Sequence, residues 1–228
     1  MSKKGIRRNG VENMKKIVLY GAGGFGKEVA SIIEVINEKK PTYELMGFID
    51  DGSEFSKGMV INGYPWLGKS DWILEHKDDV WCTCTVGNSQ IKAKIQNNLV
   101  EQGVRFETII ALGGFIGKYT TIGAGCVLYG DVTISVNCTI GNGVIINQGC
   151  NIGHDAVIGD YTTIMPGTGI SGAVKIGSEV SIGGHVFIIP ERKIGDKATL
   201  AAGSVVFTNV KAGTTILGNP AHRMKGLE

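Results

Sequence analysis

No stretch of this chain approaches the roughly eighteen consecutive apolar residues that a membrane-spanning helix needs, so a helical membrane protein is excluded. Net charge is nearly absent: 23 Lys and Arg stand against 21 Asp and Glu, and the resulting +2 implies no nucleic-acid partner. Cysteine is limited to five residues. Cys82 and Cys84 form an isolated pair in an apolar run, and Cys126, Cys138 and Cys150 recur at a spacing of twelve, as small core residues would. Unpaired structural thiols belong in a reducing compartment, so the reading is cytoplasmic. The first thirteen residues, MSKKGIRRNGVEN, are basic and lack the apolar segment of a signal peptide, and residues 1–13 are read as a disordered leader.

What the sequence does have is a period. From Ile110 to Val206 an aliphatic residue returns at every sixth position: Ile110, Ile116, Ile122, Leu128, and so on without a miss. Four residues after each comes a small or short side chain, such as Cys126, Val132, Cys138, Val144, Cys150, Ala156 or Thr162, with Arg192 the one bad break. Six fits neither the 3.6 of a helix nor the alternation of a half-buried strand, and it marks a β-solenoid. Taking the aliphatic as offset 0, offsets 0 and 4 face inward, yet offset 2 holds Lys118, Asn142, Gln148, Asp160, Pro166 and Asp196. A straight strand would bury those too, so the chain must bend at offsets 2 and 3. Offset 3 is rich in Gly, Asn and Asp, which tolerate left-handed backbone. Much of the chain's glycine, 35 residues, is thereby accounted for, and collagen-like or disordered readings are unnecessary.

The region before the repeat reads strand, glycine turn, helix. Lys16 to Tyr20 is an apolar strand, GAGGFG from Gly21 to Gly26 matches GxGxxG, and Val29, Ile32, Ile33 and Ile36 follow at helical spacing. A second strand, Glu44 to Ile49, ends in Asp50 and Asp51. Such acids hold ribose hydroxyls, and glycine amides at a helix N-terminus hold phosphate. Val80 to Val86 reads as a third strand, Ser89 to Gln102 as a helix, and Val104 to Ile109 as a fourth strand leading into the solenoid. That is too little chain for two mononucleotide-binding halves, so a nucleotide-linked sugar suits the loop better than NAD. The competing reading is that the glycines serve only close strand-to-helix packing.

Within the repeats, His154 and Asp155 occupy offsets 2 and 3, at an outer corner. A carboxylate beside an imidazole fixes its tautomer and stabilises the imidazolium, and an imidazole titrating near neutrality is suited to take a proton from an attacking amine or hydroxyl.

Taken together, GAGGFGKEV, GFIDD, INQGCNIGHDAVIGDY, MPGTGISGAVKIG and GNPAHRMKG resemble the sialic-acid O-acetyltransferase family of sugar acyltransferases, across nearly all of Met14 to Gly226. The resemblance implies an α/β, Rossmann-like N-terminal half domain followed by a left-handed parallel β-helix of three-sided coils. It implies that His154 is the base with Asp155 behind it and Asn147 near the reacting centre. The nucleotide sugar then lies on Gly23, Gly24, Phe25 and Gly26, with Asp50 and Asp51 at the nucleotide. Acetyl-CoA lies in a groove between solenoids of a homotrimer, against Thr163, Gly172, Gly184 and Ala202. In three-sided coils Gly172, eighteen residues after His154, stacks on it, and its N–H is aimed to meet the thioester oxygen as charge develops. The chain departs from many relatives at Phe25 and Thr163, where those have His.

The organisation expected is a leader (1–13), a nucleotide-sugar-binding domain (14–109), the β-helix (110–211) and a C-terminal cap (212–228), with the N-terminal domain shielding the first coil. The activity expected is acetyl-CoA-dependent N-acetylation of a nucleotide-linked amino sugar, by direct transfer in a ternary complex and without metal. Zinc, held by three His in the γ-class carbonic anhydrases that share this solenoid, is disfavoured because the repeats carry only His154 and His185. The alternatives are sugar O-acetylation and a non-catalytic nucleotide-sugar-binding solenoid.

Overall fold

The structure, a computed structural model, describes residues 14–224. The leader at 1–13 and the last four residues of the expected cap lie outside the described residues. The N-terminal part comprises β1 (Lys15–Tyr20), α1 (Gly24–Lys39), β2 (Tyr43–Ile49), β3 (Val60–Ile61), β4 (Tyr64–Gly68), α2 (Ser70–His76), β5 (Trp81–Cys84) and α3 (Ser89–Glu101). The sheet order is β3-β4-β2-β1-β5, parallel except for the β3–β4 hairpin. Successive residues of β1 are buried on both faces: Ile17 and Leu19 meet α1, and Val18 and Tyr20 the α2 and α3 side. That double burial is why β1 reads as a continuous apolar run.

Two features of this part differ from the sequence reading. The segment Val104 to Ile109 is no strand: Phe106 makes a single parallel bridge to Cys82, and Ile109–Ile110 already belongs to the solenoid. The segment is instead tied down by side chains, with Glu107 accepting from Lys15 Nζ at 2.6 Å and from the Tyr43 hydroxyl at 3.0 Å. The β3–β4 hairpin and α2 are additional. Asn62 (φ +50°) and Gly63 (φ +87°) form the hairpin turn, the dipeptide that such a left-handed turn favours.

From Ile109 the chain forms seventeen two-residue strands, β6 (Ile109–Ile110) to β22 (Val205–Val206). Each pairs in parallel with the strand eighteen residues away, as Thr133 with Asn151 and Ile134 with Ile152. Three flat faces result. The first carries Val127–Leu128, Ile145–Ile146, Thr163–Ile164 and Ser181–Ile182; the second carries Asn151–Ile152 and Gly169–Ile170; the third carries Val157–Ile158 and Lys175–Ile176. The prism is the left-handed parallel β-helix that the resemblance implies. Inside, offset 0 and offset 4 build one continuous core from Cys126 to Ile216, each fully buried Ile or Val contributing about 1.5–3 kcal/mol. All five thiols are buried and free.

Most corners follow one hydrogen-bonding rule. At offset 3 the backbone turns left-handed and its N–H donates to the offset-2 carbonyl of the preceding coil: Asp155 (φ +58°) to Val136 at 3.1 Å, Ala173 (φ +57°) to His154 at 2.8 Å. The rule overrides residue preference. Tyr161, Ala173, Glu179, Glu191 and Lys197 all adopt positive φ, while Asp131 and Asn209 do not. Stacked coils evidently repay a cost that single residues would avoid.

The N-terminal domain does not shield the first coil. It lies on the flank, over the first face, whose outward residues Val127 and Ile145 join the core of the α1 side. The end of the prism is left with Ile110 at 40 %, Phe115 at 59 % and Tyr119 at 83 % exposure. At the other end β23 (Thr215–Gly218) extends the first face and β24 (Ala221–Arg223) folds back on it, with Ile216 closing the core; Asn219–Pro220 is cis.

Candidate active site

The glycine loop runs from the carboxyl end of β1 into α1. Its four glycines divide into two pairs. A Cβ on Gly26 would come within 2.1 Å of the Gly21 carbonyl oxygen, and Gly21 (φ +113°) lies against Thr85. Those two serve packing. Gly23 and Gly24 face open space, with no atom within 4 Å of an added Cβ. Gly23 caps α1 without any side-chain bond, and the first-turn amides of Gly24, Phe25 and Gly26 have no partner among the described residues. Unpaired amides at a helix start are the groups that bind anions.

Asp50 and Asp51 follow β2 at the same sheet edge. Asp50 accepts from the amides of Ala22 (2.8 Å) and Gly52 (2.9 Å), bracing the glycine loop. Asp51 accepts from the Tyr20 hydroxyl at 2.5 Å and the Ser70 amide at 2.8 Å. Burial and these two carboxylates push the Tyr20 phenol far above its ordinary value, so it stays a donor. A cavity of about 440 Å³ opens beside them, lined by Tyr20, Asp50, Asp51, Val86, Lys94 and Asn98.

Across the loop, where Gly24 and Phe25 face the first face, lies a second cavity of about 280 Å³ that also touches Glu28, Asn147, Thr163 and Met165. Phe25 stacks on Tyr129 with centroids 6.4 Å apart, and Tyr129 donates to Glu28. Asn147 is held by its Nδ2 to the Ile164 carbonyl at 3.3 Å. A third cavity, also about 280 Å³, shares Gly87, Thr163 and Met165 with the second and continues along the axis past Gly183 to Ala202. Gly184 lies on that same corner, beside Pro166.

His154 and Asp155 sit elsewhere, at the corner between the second and third faces. His154 Nδ1 lies 2.7 Å from Asp155 Oδ2, with the side chains 64 % and 53 % exposed. A carboxylate partner makes Nδ1 the donor and leaves Nε2, which has no partner among the described residues, as the acceptor. The ring lies over Gly172, whose added Cβ would stand 2.5 Å from Nε2. The Gly172 amide has no hydrogen-bond partner among the described residues. One contributor was absent from the sequence reading: Asn137, eighteen residues before Asp155, donates to Asp155 Oδ1 at 3.2 Å. The hydrogen bonds from His154 and then Asn137 hold the Asp155 carboxyl below its ordinary value.

One chain therefore brings together Gly24, Phe25, Asn147, Thr163 and Ala202 along one groove, and His154, Asp155 and Gly172 on another corner. From Gln148 to His154 is one prism side, at most about 20 Å for six extended residues. No group of three His, Cys, Asp or Glu that could hold a metal occurs among the described residues, and no helix there is long and apolar enough to cross a membrane.

A half-sized α/β domain with an open glycine loop, flanking a left-handed prism with an imidazole–carboxylate corner, defines a hexapeptide-repeat acyltransferase. Residues 16–99 match the PglD N-terminal domain family and residues 137–172 the bacterial transferase hexapeptide (six repeats) family. The chain is 31 % identical over 214 residues to the GDP-perosamine N-acetyltransferase of Escherichia coli O157:H7, covering 91 % of this chain and 95 % of that one. Among solved structures it is similar to the acetyltransferase domain of PglB from Neisseria gonorrhoeae FA1090, with 29 % identity, TM-score 0.84, and 92 % and 100 % of the two chains covered. WeeI from Acinetobacter baumannii AYE gives 32 % identity, TM-score 0.82 and the same coverage. The chain belongs to the sugar acyltransferase family that its motifs resemble, and it is an acyltransferase enzyme.

Proposed function

We propose that the enzyme transfers the acetyl group of acetyl-CoA to the amine of a nucleotide-linked amino sugar, directly within a ternary complex. The observation that carries this reading is the exposed His154–Asp155 pair, with Nε2 free and seated over Gly172. Nε2 accepts the proton as the amine nitrogen forms its bond to the thioester carbon; the C–S bond then breaks, and the proton passes to the departing thiolate. Asp155, fixed by Asn137, holds the imidazole and stabilises its cationic form. The unpaired Gly172 amide is the donor for the oxygen that becomes negative in between.

The nucleotide lies beside Asp50 and Asp51, its phosphates on the amides that follow Gly23, and its sugar towards Asn147. Thr163 borders both the cavity that takes the sugar and the next one along, and acetyl-CoA follows the groove from there to Gly184 and Ala202. The similarity of the chain to an N-acetyltransferase of GDP-perosamine supports nitrogen as the acceptor, and a 28 % identical structure of the PglB domain in complex with acetyl coenzyme A supports the donor. The separation of His154 from the glycine-loop groove by a prism side supports a homotrimer, in which the His154 corner of one subunit meets the groove of its neighbour. Buried free thiols and soluble, charged substrates support action in the cytoplasm.

The test is incubation with acetyl-CoA and a panel of UDP-, GDP- and dTDP-linked amino sugars, with mass analysis of products and of free CoA. One amino sugar gaining a single acetyl group on nitrogen is the expected result. Acetylation on oxygen would reassign the acceptor, and no acetylation of any member would overturn the reading. His154→Asn should reduce turnover strongly with little change in CoA affinity.

A further inference from the structure

Lys92 is a lysine with no exposed surface and, among the described residues, no carboxylate partner. It lies on α3, which descends the first face of the prism: Ser89 donates to the Val180 carbonyl at 2.9 Å, Lys92 reaches Thr163 and Gln96 lies over Gly143 and Gly125. A helical turn rises about 5.4 Å and a coil about 4.8 Å, so each turn of α3 meets successive coils in near register. Lys92 Nζ stands 2.8 Å from Thr163 Oγ1 and 3.4 Å from the Thr162 carbonyl. Thr163 in turn lines both cavities of the groove.

We infer that Lys92 is a positioning residue that sets the direction of the Thr163 hydroxyl proton. As an ammonium it can only donate, so Thr163 Oγ1 accepts and its own O–H is left to point into the cavity, towards an oxygen of the bound nucleotide-linked sugar. As a free amine it carries a lone pair that draws the Thr163 O–H back to Nζ, and the cavity loses its donor. The titratable side chains facing Nζ are Cys84 from β5 and Cys126 from the prism, both thiols that burial raises to about 11 and so keeps neutral. Desolvation without a counter-charge lowers Lys92 to about 7, which places both of its states within the working range of an enzyme. The donor is present below that midpoint and lost above it.

The assignment of the acceptor to the sugar rests on the proposed reaction; the Lys92–Thr163 coupling does not. The test therefore has two parts, both on the full chain. Lysine side-chain NMR without substrate should show Lys92 titrating near neutrality. Thr163→Val, which removes an acceptor of the ammonium, should lower that midpoint and Thr163→Ser should restore it. A midpoint in the ordinary lysine range, or one unmoved by Thr163→Val, overturns the coupling. With whichever panel substrate is turned over, kcat/KM should fall on the alkaline side in the wild type and in Thr163→Ser. Thr163→Val should be about tenfold lower at pH 6 and match the wild type at pH 8.5, the loss expected for one hydrogen bond to a ligand. Lys92→Met should lack the alkaline limb. A wild-type limb that persists in both Thr163→Val and Lys92→Met overturns the inference, whereas failure of every panel substrate strikes the proposed reaction and leaves the NMR result to decide the coupling.

Discussion

Gly172→Ala isolates the imidazole corner from the stability of the prism. The added Cβ would stand 2.5 Å from His154 Nε2 and 2.7 Å from Cε1, where ordinary contact begins at 3.4 Å. The ring must therefore retreat by about 1 Å. Gly172 is not at positive φ, so alanine imposes no backbone strain, and the displaced group is the exposed tip of a flexible side chain. The fold should hold to within about 1 kcal/mol. Turnover should not, because a displacement of about 1 Å at a reacting centre costs on the order of 100-fold. Steady-state kinetics with thermal unfolding in parallel would show kcat down by roughly that factor and an almost unchanged Tm. A variant that keeps turnover within twofold of the wild type would refute the placement of the base over Gly172.

Asn137→Ala should release the Asp155 carboxyl towards its ordinary value; the His154–Asp155 pair then persists over a narrower range at low pH, and the acid limb of the rate profile moves upward with a few-fold loss of kcat. Gly26→Ala, whose Cβ meets a backbone oxygen at 2.1 Å, should lose about 3 kcal/mol or fail to fold in urea titration, while Gly23→Ala should unfold like the wild type and bind the nucleotide sugar more weakly. Lys92 loses its proton far more readily in the folded chain than in the unfolded one, so the unfolded state binds the extra proton between about 7 and 10.5 and stability from this residue rises with pH across that window. The full span is about 5 kcal/mol, and Lys92→Met should therefore be more stable than the wild type at pH 6 by urea denaturation, with the gap closing by pH 10; a gap that does not change with pH would show that the amine is not desolvated.

The solenoid was legible because its period repeats the same inward and outward alternation many times over. His154 and Asp155 were legible because they are neighbours in sequence and share one corner. Asn137 was not, since it reaches Asp155 across eighteen residues, and only coil stacking joins them. Lys92 was hidden for a different reason: α3 reads as an ordinary amphipathic helix, and nothing in its spacing tells that its buried side rests on the prism. The same gap produced the mistaken shield over the first coil, where Ile110 and Ile116 fit the repeat yet face solvent. The Asn62–Gly63 turn is a hairpin dipeptide, but the strands it joins, Val60–Ile61 and Tyr64–Gly68, are too short to show the flanking alternation that marks a hairpin in sequence.

Stacking in equal coils also gives this enzyme a graduated scale. Along the first face, Ile145, Thr163, Ser181 and Thr199 stand one level apart, each held to the next by the strand ladder. The span between the glycine loop and any point higher in the groove is thus a whole number of levels, and no single substitution can stretch it by a fraction. A descendant that needed a longer acyl donor would have to gain or lose an entire turn of eighteen residues, or move the flanking domain by one rung.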